Sequence, residues 1–154
     1  MRYLVLAVGI GVMLAASARA QGEKPNFSGS WQVNPIHTKA SGERPLLMWV
    51  KIEQKGDTIH LARGLRMPDG KDAVTEVRCS TKGEDCNVDA TTKVTFYYLG
   101  DTLKEIEMAG ETLIKRAYTL ETEGRLTVEV RYVTPGATTD SFGFDKTSPG
   151  SVTF

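Results

Sequence analysis

From Phe27 onward, apolar and polar residues alternate with a period of two rather than 3.6, and short turns interrupt the alternation. Leu126, Val128, Val130 and Tyr132 fall on one face of a run whose other face carries Arg125, Thr127, Glu129 and Arg131. Val94, Phe96 and Tyr98 repeat the pattern, as do Phe142 and Phe144. Side chains that alternate in this way belong to strands with one buried face. The pattern predicts strands over 28–34, 46–54, 58–66, 72–79, 92–99, 102–108, 112–121, 125–134 and 139–146. Between them lie Lys55-Gly56-Asp57, Pro68-Asp69-Gly70, Gly100-Asp101, Ala109-Gly110-Glu111 and Glu123-Gly124-Arg125, which place Gly or Asp where hairpins need positive φ. No stretch forms a convincing amphipathic helix. An open sheet of so many strands leaves its edges exposed, whereas one that closes on itself removes them. The expectation is an all-β, antiparallel up-and-down barrel of about eight to nine strands.

The start of the chain has a different character. Arg2 precedes the apolar run Tyr3 to Ala16, and Ala18-Arg19-Ala20 fits the small-x-small pattern of a cleavage site. The run is shorter than the roughly 18–20 apolar residues of a spanning helix. Residues 1–20 therefore read as a secretory signal peptide, and residues 21–154 as one domain, periplasmic or extracellular. A lipid-anchored export signal is not expected, because no cysteine precedes Cys79.

The whole chain has 19 basic and 19 acidic residues; without Arg2 and Arg19 the balance is 17 to 19, a formal charge of −2. No basic patch stands out, which argues against nucleic acid and anionic membrane as partners. The only cysteines are Cys79 and Cys86, and a close, even pair in an exported chain reads as a structural disulfide on a loop. Redox-active pairs have the tighter Cys-x-x-Cys spacing, and zinc would require further ligands nearby.

One segment is more specific. Asn26-Phe27-Ser28-Gly29-Ser30-Trp31-Gln32-Val33-Asn34 resembles the opening of lipocalin-like domains, where a Gly-x-Trp motif begins the first strand of a calycin barrel. Its position after an export signal is also similar to that in many small secreted bacterial proteins. Lys93 to Gly100, Arg116 to Leu120 and Gly124 to Val128 agree with the same rhythm. The resemblance implies that Trp31 closes the barrel base, with Gly29 beside it, and packs against an arginine from a late strand. Arg116 and Arg131 are the candidates. It also implies binding or transport of small apolar molecules.

Catalytic patterns are missing from the sequence. His37 and His60 stand outside any metal-spaced cluster, and no Gly-x-Ser-x-Gly elbow occurs. No enzyme activity, cofactor or metal is expected. Glu105 and Glu107 share one strand face, a spacing that usually marks a solvated surface. The segment Pro35 to Pro45, with His37, Lys39 and Arg44, is long for a hairpin loop and is either a lid or a tolerated insertion.

Three charges interrupt apolar faces. Arg63 lies among Ile59, Leu61 and Leu65; Arg116 lies among Ile114, Tyr118 and Leu120; Glu105 shares its face with Leu103. An inward charge costs several kcal/mol unless it is paired or wet. Such residues are an internal Arg–Glu pair, a cation on Trp31, or a polar anchor in a ligand cavity. Arg116-Ala117-Tyr118 is similar in spacing to the Arg-x-Tyr of intracellular fatty-acid-binding barrels, where arginines and a tyrosine hold a carboxylate. That resemblance implies a ligand-binding set of Arg63, Arg116 and Tyr118 for an amphipathic anion. The alternative is a structural or interaction domain, its barrel filled by its own side chains and acting through its surface. An apolar interior cavity with Arg63 or Arg116 in its wall separates the two readings.

Overall fold

The computed structural model describes residues 23–42, 45 and 47–148. The signal peptide read from residues 1–20 lies outside them. Among the described residues, ten antiparallel strands follow one another as a meander: β1 (Gly29–Lys39), β2 (Leu47–Lys55), β3 (Thr58–Arg66), β4 (Asp72–Ser80), β5 (Lys82–Asn87), β6 (Thr92–Leu99), β7 (Thr102–Ala109), β8 (Thr112–Leu120), β9 (Leu126–Thr134) and β10 (Thr138–Thr147). They form one sheet in the order β4-β3-β2-β1-β10-β9-β8-β7-β6-β5. The first and last strands pair, with Trp31 opposite Lys146 and Val33 opposite Phe144, and the sheet curls into a nearly closed up-and-down barrel.

Nine of the strands lie where the alternation places them. The tenth, β5, occupies the cysteine segment that the sequence presents as a loop. Its residues Lys82-Gly83-Glu84-Asp85-Cys86-Asn87 are mostly polar and exposed, so no alternation betrays them. A strand at a sheet edge packs little on either face and carries little hydrophobic signal.

Strands β4 and β5 are consecutive in the chain but unpaired by a ladder, and each is an end of the sheet. The Cys79–Cys86 disulfide joins them across this seam. The bond is a clasp between the two edges of the barrel rather than a staple within a loop. At the same place Thr81 is buried, and its backbone N–H donates to the Asp57 carbonyl at 2.7 Å.

The expected loop from Pro35 is instead strand as far as Lys39. The register with β10 breaks between Asn34 and Lys39, where the extra residues bulge. Asn34 organises the bulge: its carbonyl accepts from Thr38 Oγ1 at 2.9 Å, and its Oδ1 accepts from the Ile36 N–H at 2.9 Å. Gly143 makes room for it, since a Cβ there would stand 2.5 Å from His37 Cβ. Beyond the strand, Ser41 N and Oγ both donate to the buried Asp140 at 2.8 Å. The described part of this segment is thus bonded down on β10, which is not the arrangement of a free lid.

One end of the barrel interior is solid. Phe27, just before β1, is fully buried there with Trp31, Ile52, Ile59, Leu61, Phe96, Leu103 and Leu126. Trp31 is 2% exposed, and its indole N–H donates to the Phe27 carbonyl at 3.1 Å. The cation beside its ring is Lys146 of β10, with Nζ 5.4 Å from the ring centroid. Neither arginine candidate serves that role: Arg131 is exposed on the outer face of β9, and Arg116 is bonded instead to Glu105 and Glu107. Gly29 has φ +152°, and a Cβ at that position would meet Lys146 Cε at 2.9 Å. The absence of a side chain at Gly29 therefore lets the lysine stem lie along Trp31.

Candidate ligand-binding site

The three inward charges meet in a single layer across the barrel. Arg63 points inward from β3, between Val50 of β2 and Thr75 of β4 in the register. Glu105 and Arg116 are direct cross-strand partners on β7 and β8, and Tyr118 is two residues beyond Arg116 on the same face. Glu107 also faces inward. The acidic pair expected on a solvated face is therefore interior, because β7 turns Leu103, Glu105 and Glu107 to the same side.

Glu105 is 0% exposed and lies at the centre of the layer. Arg63 crosses the interior and donates through Nη1 to both its oxygens, at 2.8 and 2.9 Å. Arg116 Nη1 donates to Oε1 at 2.8 Å, and the Tyr118 hydroxyl donates to Oε2. These four hydrogen bonds match the roughly four lone-pair directions of a carboxylate. Glu107 takes the second share of each arginine: Arg63 Nη2 donates to its Oε2 at 2.8 Å, and Arg116 Nη1 to the same oxygen. A longer contact of 3.2 Å runs from Arg63 Nη1 to the Tyr118 hydroxyl oxygen.

Two arginines and two glutamates make a layer with no net charge. Burial opposes the ionisation of Glu105, but Arg63 and Arg116 outweigh it and hold its carboxyl below the usual carboxylate range. Burial would likewise favour loss of charge at Arg63, yet Glu105 reverses the balance and its guanidinium stays charged. Tyr118 is pushed well above the ordinary phenol range, first by burial and then by the neighbouring Glu105 charge, so its proton stays on oxygen. Paired and hydrogen-bonded charges of this kind are the form in which ions tolerate burial.

Above the layer the barrel is hollow. A cavity of about 190 Å³ is bounded by Arg63, Arg116 and Tyr118 on its polar side. Its other walls include Met48, Val50, Leu65, Val128, Val130 and Phe142. Ala73 and Thr75 of β4 also line it, and both are exposed, so the cavity reaches solvent beside the first half of β4. The three residues expected to face a ligand are thus together at one cavity wall. Glu105 and Glu107 supply the anions that the arginines bind here: the internal Arg–Glu pair is among the readings of the inward charges, whereas Glu107, expected on a solvated face, is the member that the sequence does not reveal. Glu105 sharing a face with Leu103 was the available signal.

The fold is a nearly closed antiparallel up-and-down β-barrel of the calycin type. Solved structures agree at the level of the fold. A point mutant of the fluorescent protein UnaG matches with a TM-score of 0.61 at 14% identity, over 79% of this chain and 96% of that one. A secretory abundant heat soluble protein from Ramazzottius varieornatus matches with a TM-score of 0.56 at 16% identity, over 79% of this chain and 95% of its own. Fatty-acid-binding protein 1 of Echinococcus granulosus matches with a TM-score of 0.57 at 10% identity, over 79% and 98% respectively. No protein-family model matches the sequence, and no curated protein sequence matches it.

Proposed function

We propose that the barrel is an exported binding module for a small, largely apolar molecule, held in the cavity with its polar end toward Arg63, Arg116 and Tyr118. The observation that carries this reading is the uneven filling of the interior. One end is packed solid around Phe27 and Trp31, whereas the other leaves about 190 Å³ between apolar walls and a polar floor. A domain acting only through its surface has no need of such a space. The similarity to a protein named for fatty-acid binding supports the reading at the level of the fold. The export read from residues 1–20, and the carriage of small apolar molecules that the lipocalin resemblance implies, belong to the same proposal.

The cavity is smaller than the roughly 300–1,000 Å³ typical of sites for drug-sized ligands. A dry cavity of about 150 Å³ takes a guest the size of benzene. The ligand therefore has a ring-sized or short-chain portion inside, with any remainder extending past Ala73.

Titration with 6-propionyl-2-(dimethylamino)naphthalene, an uncharged dye whose emission shifts in apolar surroundings, tests this. Saturable binding with a blue shift is expected. Ala73→Phe at the opening and Val130→Phe in the wall should each weaken it about tenfold or more, the equivalent of about 1.4 kcal/mol. No saturable binding, or binding indifferent to both substitutions, refutes the proposal.

A further inference from the structure

We infer that the cavity selects uncharged ligands bearing a hydrogen-bond acceptor, such as a ketone, ester or amide carbonyl, and discriminates against carboxylates. This rests on the binding function proposed above and specifies its ligand class. The arginines that suggest an anion site from the sequence already have their anions. Glu105 accepts four hydrogen bonds from Arg63, Arg116 and Tyr118, and Glu107 accepts one from each arginine. The positive charge of the layer is balanced within the chain.

A carboxylate entering the cavity would leave the layer with a net negative charge against walls that are mostly apolar. To reach an arginine on equal terms it would have to displace a glutamate. Glu105 is fully buried with all its bonds made, so it has nowhere to go. Glu107 is partly exposed and is the only one of the two that can yield. Its departure would exchange one anion for another, with the desolvation of the newcomer added.

A neutral acceptor meets none of these obstacles. Arg116 reaches both glutamates through Nη1 alone, which leaves Nη2 outside the carboxylate bonds. Arg116 also lines the cavity. A carbonyl oxygen at that wall accepts from a charged donor whose charge is already compensated, a bond stronger than one between neutral groups. Tyr118 contributes shape rather than a proton, because its hydroxyl hydrogen is committed to Glu105. Discrimination here comes from what the interior refuses as much as from what it bonds.

The test is a matched pair of competitors, 2-acetylnaphthalene and 2-naphthoate, which differ little in size but carry a ketone and a carboxylate. Each is titrated at pH 7.5 against the bound solvatochromic ketone dye. The ketone should displace the dye at a concentration at least tenfold below that of the naphthoate. Glu107→Gln, which leaves one arginine charge unbalanced, should improve displacement by naphthoate tenfold or more and change that by the ketone less than threefold. Equal or stronger displacement by naphthoate on the unaltered protein overturns the inference and leaves the binding function standing. So does a Glu107→Gln protein whose response to naphthoate is unchanged. Failure of the dye itself to bind removes the binding function and this inference with it.

Discussion

Replacing Glu105 with Gln probes the layer most directly. The side chain keeps its size, so packing among Phe96, Leu103 and Tyr118 is little disturbed, and the change is electrical. Glu105 accepts four hydrogen bonds from three donor residues. An amide offers one oxygen and one NH₂, so two of those donors face another donor. Arg63 and Arg116 are then left with Glu107 alone. Removing one partner of a buried ion pair costs about 3–5 kcal/mol. Against a typical domain stability of about 5–15 kcal/mol, that is a large share. Urea unfolding followed by tryptophan fluorescence at pH 7.5 measures it.

The pH dependence supplies a second, independent reading. Glu105 in the folded protein ionises below its ordinary value of 4.5, because the two arginines outweigh the opposing effect of burial. A carboxyl with a depressed folded pKa contributes stability that is complete above the unfolded value and is lost as pH falls through the folded one. The stability gap between the unaltered protein and Glu105→Gln should therefore be widest above pH 4.5 and shrink in more acidic solution. Asp57, Asp69, Asp72 and Asp89 also ionise below their usual value, but they are exposed and present in both proteins, so the comparison cancels them. A loss below about 1 kcal/mol at pH 7.5, the range of exposed sites, would refute the reasoning, as would a gap that does not change with pH.

Two further outcomes follow from the packed end and the seam. Trp31→Ala removes a 2%-exposed indole and should destabilise the fold by about 3–5 kcal/mol in the same urea assay; a loss below about 1 kcal/mol would place Trp31 at the rim. Thiol titration of the denatured, unreduced protein should find no free thiol, and Cys79→Ser with Cys86→Ser should lower stability by roughly 2–3 kcal/mol. Two free thiols per chain would contradict the clasp across β4 and β5.

Much of the barrel is legible in the amino-acid sequence because strand information is local. Alternation along Leu126, Val128, Val130 and Tyr132 assigns a buried face without knowledge of any partner, and turns such as Glu123-Gly124-Arg125 end one strand and start the next. The inward direction of Arg63, Arg116 and Tyr118 is legible for the same reason: the parity of a residue within its strand decides its face. Gly29 and Trp31 similarly announce the start of the first strand. What a side chain meets inside the barrel is not local. Arg63 and Glu105 lie 42 positions apart, on strands that are not neighbours in the sheet. Only the curvature that brings opposite walls together decides that the arginine finds this carboxylate rather than Trp31 or a ligand. Closure likewise decides the rest. The polar segment Lys82–Asn87 becomes a strand because the far edge of the sheet offers it a ladder, and Lys146 reaches Trp31 because β1 pairs with β10. The charge-neutral layer and the cavity above it are properties of long-range contacts, and the alternation that predicts a barrel carries no information about which residues will face one another across it.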